Sequence, residues 1–216
     1  MSREDRKGKR KLREQFTKRR TPSLGYYYIV TDADETEKNY LEGLRDSIPD
    51  ELNGKIVIKV AKSRTVDLID KCKSESALYP QYSEPWIVFD RDQVKDFDGI
   101  IKKAEKEGIR VGWSNPCVEI WFNAYFGNIP NHIDSVTCCK EFEKVYQKKT
   151  NQKYEKSSKD IYKKLNEFGD QETAIHLAEQ KRKELIERGL NTPSKMIPCT
   201  TVDILVDEIM SKVGGK

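Results

Sequence analysis

At 216 residues, with charged and hydrophobic side chains nearly equal at 35% and 36%, the chain has material for one α/β domain with a helical appendage, not for two large domains. Its apolar residues come in blocks, which excludes a wholly disordered polymer, and no apolar run approaches the ~20 residues needed to span a bilayer. The net charge of +4 is unevenly placed: the first 20 residues hold ten Lys or Arg against three acids, and the remainder carries 30 basic against 33 acidic residues.

Residues 1–22 therefore read as a basic arm on a slightly acidic body, suited to phosphate contacts and counterion release on DNA or RNA, or to simple solvation. The run RKLREQFTKRR stands where a secretory signal would place its apolar stretch, so a cytoplasmic location is expected. Cys72, Cys117, Cys138, Cys139 and Cys199 lack CxxC spacing, and His132 and His176 complete no zinc pattern. Free thiols and no structural metal are the expectation.

From residue 23 onwards strands and helices alternate. Tyr26–Thr31 is a β-rich apolar run, and Thr36–Ser47 carries Tyr40, Leu41 and Leu44 at helical spacing. Ile56, Ile58 and Val60 alternate as a second strand, followed by a helix over Thr65–Ser76. Trp86–Phe89 is a buried-type strand that runs into Asp90, Arg91 and Asp92. A helix presenting Phe97, Ile100, Ile101 and Ala104 closes at Gly108, and Ile109–Trp113 forms the fourth strand. Ser114, Asn115 and Pro116 look like a helix start, with Asn115 as cap and Pro116 at the first helical position, before an aromatic helix over Cys117–Phe126. This order predicts a Rossmann-like core at 23–130 around a parallel four-stranded sheet.

Beyond residue 131 the composition turns rich in Lys and Glu, and no strand pattern returns. Helices are expected over Glu141–Lys149, Ser157–Phe168 and Gln171–Arg188, the last packing through Leu177, Leu185 and Ile186, with a final amphipathic helix carrying Val202, Ile204, Leu205, Ile209 and Met210. Residues 131–216 thus form a helical extension on the core.

Acids cluster after two of the strands: Asp32, Asp34, Glu35 and Glu37 after the first, Asp90 and Asp92 after the third. In a parallel α/β sheet, ligands bind at the carboxyl edge where neighbouring crossovers leave for opposite faces. Side chains alternate along a strand, so Asp-x-Asp on an extended end points both carboxylates one way. Oxygen-only clusters of this kind suit Mg²⁺ (or Mn²⁺), one or two ions, which activate water and stabilise a leaving oxygen in phosphodiester cleavage. An Asp-x-Asp after a strand, taken alone, is more often loop solvation or helix capping, and it is the pairing of two clusters on different strands at α/β spacing that favours a metal site.

The stretches IVTDADETEKNYLEGL, WIVFDRD, GWSNPCVEIWFNAYF and PCTTVDILVDEI, in that order, resemble four motifs of the RloB family, with Thr36, Glu37 and Tyr40 matching within the first. The resemblance implies a Toprim fold, metal-dependent nuclease activity on DNA or RNA, and a role in phage defence or abortive infection beside an RloA-type ATPase. No Walker A motif occurs in this chain, so ATP use would fall to that partner. On this reading Asp90 and Asp92 ligate metal, Asp32 ligates metal or positions the attacking water, and Glu37 and Glu119 complete an acidic rim. Ser114 assists by hydrogen bonding beside Asn115, and Arg91 contacts phosphate or pairs locally. The chain departs from the family pattern at Asp32, where the family has Glu, at Ala33, where it has Gly, and at Tyr125, where it has His.

Two other readings fit parts of the pattern. A Toprim module that binds nucleic acid or a partner without cutting is suggested by Asp32 and Ala33. Asp32-Ala-Asp34-Glu-Thr36 also has the form of a haloacid dehalogenase-type phosphatase motif, with Asp32 as nucleophile.

Overall fold

The structure, a computed structural model, describes residues 24–32, 35–61, 65–79, 81–92 and 94–214. The basic arm and Asp34 lie outside these residues. The elements in chain order are β1 (Tyr27–Thr31), α1 (Thr36–Ser47), the single turn α2 (Asp50–Asn53), β2 (Ile56–Val60), α3 (Leu68–Ala77), β3 (Glu84–Asp90), α4 (Phe97–Lys106), β4 (Arg110–Asn115) and α5 (Glu119–Tyr125). They are followed by α6 (Ser135–Thr150), α7 (Ile161–Phe168), α8 (Gln171–Glu187), β5 (Cys199–Thr200) and α9 (Val202–Gly214).

The sheet has the order β2-β1-β3-β4-β5. Strands β1 to β4 are mutually parallel, as the alternation of strands and helices predicts. The expectation of four strands is corrected by β5, which pairs antiparallel with the end of β4 through Ser114 with Thr200 and Asn115 with Cys199. A two-residue strand carries too little alternation to be seen in sequence, and its extended conformation is imposed by the neighbouring edge.

Strand periodicity divides the core in two. Tyr27 and Ile29 of β1, with Trp86 and Val88 of β3, face a layer holding α1, α5, α7 and α9. Their neighbours Tyr28, Val30, Ile87 and Phe89 face α3 and α4. The crossover from β1 to β2 therefore runs over one face, and those from β2 to β3 and β3 to β4 over the other. The topological switch point lies between the carboxyl ends of β1 and β3, which places Asp32 and Asp90 at the position where such sheets bind ligands.

Burial sets the helix faces. Tyr40, Leu41 and Leu44 are nearly solvent-free, and Gly43 lets α7 come close, because a Cβ there would stand 2.5 Å from that of Tyr162. Gly108 closes the loop after α4 with φ of 73°, as the capping pattern predicts. On α8 the packing residues are Ala174, Ala178 and Leu185, with Leu177 partly buried. Ile186, expected in the core, is instead 54% exposed, since it follows Leu185 by 100° around the helix. The expected helix from Ser157 begins at Ile161; the Ser157 carbonyl accepts from Asn39 Nδ2 at 3.0 Å. Among the described residues no helix is long and apolar enough to cross a membrane.

Candidate functional site

Four predicted acids come together at the switch point. Asp32 follows β1, Glu37 lies in the first turn of α1, Asp90 ends β3 and Glu119 opens α5. Glu37 and Glu119 are buried, at 5% and 1% exposure. Asp90 retains some residue-level exposure, but its Oδ1 has essentially no solvent contact and receives no N–H or hydroxyl donor.

Several groups hold these acids in place. The Val118 backbone N–H donates to Asp90 Oδ2 at 2.9 Å. Thr65 Oγ1 donates to Asp32 Oδ2 at 2.8 Å. The Tyr154 hydroxyl donates to Glu119 Oε1 at 3.1 Å, and Lys156 Nζ stands 3.5 Å from the same oxygen. Thr65, Tyr154 and Lys156 gave no signal in the sequence, because a single polar residue at a helix start or in a loop resembles any solvated residue.

Mutual repulsion in a dry site shifts the titration of two acids. Burial, and then the charge of Asp32, lifts the Glu37 carboxyl to about 7. Burial, and then the charges of Glu37 and Glu119, raises Asp90 well above the ordinary carboxylate range, against the opposing pull of the Val118 N–H. Glu37 also lies within hydrogen-bond reach of Asp90, so one retained proton relieves part of the repulsion. An oxygen-only donor set around a buried Asp90 oxygen that receives no N–H or hydroxyl donor fits a small hard cation. Among the described residues these acids do not close into a trio with all oxygens within 4.8 Å of one another. A Mg²⁺ held by one or two carboxylates with water completing its shell does not require such a trio.

The remaining predicted residues are placed differently. Asp92 is exposed in the turn after β3, where it lines a surface cleft with Arg91, Lys95, Asn115, Pro116 and Asp134. Ser114 is buried on β4, its hydroxyl 3.2 Å from that of Thr200. The capping role expected of Asn115 is corrected. Asn115 is the last residue of β4, joined to Pro116 by a cis peptide bond, and α5 begins only at Glu119. Its amide donates to the carbonyls of Pro193, Ser194 and Met196 at 3.1, 3.4 and 2.9 Å. These bonds hold it extended and tie the approach to β5 against β4, while Asp90 satisfies the backbone ahead of α5. Tyr125 is buried in a network with the Tyr40 hydroxyl at 2.8 Å and Gln171 Oε1 at 3.1 Å.

The family model described as RloB-like protein matches residues 27–209, a span that includes all four converging acids and both ends of the sheet. No curated protein and no solved structure matches the chain.

Proposed function

Because the chain belongs to the RloB-like family, we propose that it is a Toprim-type nuclease, dependent on Mg²⁺ or Mn²⁺, that hydrolyses phosphodiester bonds of DNA or RNA in phage defence beside an RloA-type ATPase. The observation that carries this reading is the meeting of Asp32, Glu37, Asp90 and Glu119 at the switch point, where a buried Asp90 oxygen lacks a donor.

In this reading Asp32 and Asp90 hold the cation, with Glu37 and Glu119 completing the shell directly or through water. A bound divalent ion supplies positive charge for the phosphodiester oxygens and acidifies water. Glu37, which titrates near neutrality in the cation-free protein, is suited to exchange a proton with the attacking water. Asp92 and Arg91 stand on the solvent side, where Arg91 meets phosphate and Asp92 meets a second ion or an incoming strand. Thr65 and Tyr154 orient Asp32 and Glu119 by donating to them. The basic arm, outside the described residues, adds charge that favours a polyanion.

The test is a titration of Mg²⁺ and Mn²⁺ with labelled DNA and RNA, comparing the native chain with Asp90→Asn. Cation-dependent cleavage that disappears in the variant is the expected result. Equal binding by both proteins without cleavage overturns the nuclease reading and leaves a binding module. A phospho-aspartate trapped at Asp32 would instead indicate phosphatase chemistry.

A further inference from the structure

The sequence separates Cys117 from Cys139 by a helix and a loop, yet the fold brings them to one point. Cys117 lies in the loop before α5 and Cys139 on α6. Their sulfur atoms are 4.0 Å apart. With a carboxylate oxygen of Glu119 they form a trio in which all three ligand atoms lie within 4.8 Å of one another, and among the described residues it is the only such group. Cys117 and Glu119 are buried and Cys139 is partly open, so one side of the trio faces solvent.

We propose that Cys117, Cys139 and Glu119 form a binding site for a thiophilic divalent cation, zinc in the first instance, beside the acidic quartet and sharing Glu119 with it. The distances suit this ion. Zinc–sulfur bonds of about 2.3 Å at the tetrahedral angle set a sulfur–sulfur edge of ~3.8 Å, close to the observed 4.0 Å. A disulfide requires about 2.05 Å, so the thiols would have to move much further to bond to each other. Two sulfurs and one carboxylate make a three-ligand zinc set with a fourth position left for water. Donor softness separates this site from the oxygen-only acids next to it, which prefer Mg²⁺.

The positive charge near the trio in this structure belongs to Lys156, whose Nζ stands 3.5 Å from Glu119 Oε1 and whose side chain is 57% exposed. An incoming cation replaces that ammonium, which swings into solvent. Binding breaks two S–H bonds, forms two zinc–sulfur bonds and releases two protons to the buffer. Because binding releases those two protons, zinc uptake strengthens as pH rises.

The full-length, reduced and metal-stripped chain is titrated with Co²⁺ and then Zn²⁺, a measurement that requires no nuclease assay and is independent of the cleavage reading. One equivalent of cobalt should produce a thiolate-to-cobalt charge-transfer band that zinc abolishes. Cys139→Ser should weaken zinc binding at least about 100-fold, more than disturbing an outer-shell partner. Lys156→Ala, a surface change, should tighten binding several-fold by removing the competing cation. Should Cys139→Ser fail to fold by circular dichroism, protection of Cys117 and Cys139 from iodoacetamide by zinc in the native chain supplies the readout. A cobalt spectrum without thiolate character, or zinc affinity indifferent to both variants, overturns the site. A Cys117–Cys139 disulfide formed on mild oxidation by a chain that takes up no zinc also overturns it, and assigns the pair to redox chemistry.

Discussion

The Val118 backbone N–H donates to Asp90 Oδ2 across 2.9 Å, so the last residue of β3 fixes the chain where it enters α5. One oxygen of Asp90 is thereby committed to the backbone, and the other is left buried without an N–H or hydroxyl donor. The same bond delivers Glu119, the residue after Val118, to the acid group. Local backbone satisfaction and the assembly of the site are one event here.

Replacing Asp90 by Asn tests the electrostatic half of that relationship. The amide oxygen can still accept from Val118, while the negative charge that Glu37 and Glu119 oppose is gone. In EDTA at pH 8 the variant is expected to be more stable than the native chain by roughly 1–2 kcal/mol. Added Mg²⁺ should raise the melting temperature of the native protein and leave the variant unmoved. A variant less stable than native in EDTA would show that the buried charge is not under strain.

Metal-free stability should depend on pH through Glu37. Its carboxyl titrates at about 7 in the folded chain against 4.5 for the free side chain, so the folded state binds the extra proton between those values. The stabilisation is complete below pH 4.5 and is lost as pH rises through 7, on the order of 3 kcal/mol in all. Urea unfolding in EDTA across this window, native against Glu37→Gln, isolates the effect, because the glutamine variant should lack this component of the slope. Identical slopes for the two chains would contradict it.

Asn115→Ala removes an amide whose two N–H groups are shared among the Pro193, Ser194 and Met196 carbonyls in the segment leading into β5. The Pro193 carbonyl keeps the Met196 N–H at 3.2 Å, so the main loss is the donor to the buried Met196 carbonyl, at a cost of about 2 kcal/mol. Urea denaturation gives the loss, and hydrogen exchange should report faster opening around Met196 to Thr200. A loss below about 1 kcal/mol would mean that water replaces the amide.

Arg182 makes a bidentate pair with Asp203 at 2.6 and 2.7 Å and donates to the Thr200 carbonyl at 2.7 Å. Burial nevertheless holds Asp203 above its ordinary range, outweighing the guanidinium. Arg182→Met leaves that carboxylate buried and unpaired, at a cost of about 3–5 kcal/mol. Combining it with Asp203→Leu should recover more than half of the loss. A double variant as unstable as the single one would show that the bond to Thr200, rather than the charge pair, dominates.

The sequence by itself determined the alternation of four strands with helices and the acids at the ends of β1 and β3, because alternating and helical apolar spacing are local properties. Helix α1 was legible to the residue, from Thr36 to Ser47. Only the tertiary structure decided that Asn115 is strand rather than cap, that β5 exists, and that Asp92 stays exposed while Glu37 and Glu119 are buried beside Asp90. It alone joined Cys117 to Cys139 and set Tyr154 and Lys156 on Glu119. Each of those outcomes depends on which distant segments share a dielectric environment and a hydrogen-bond partner, a property of chain packing that no window of neighbouring residues contains.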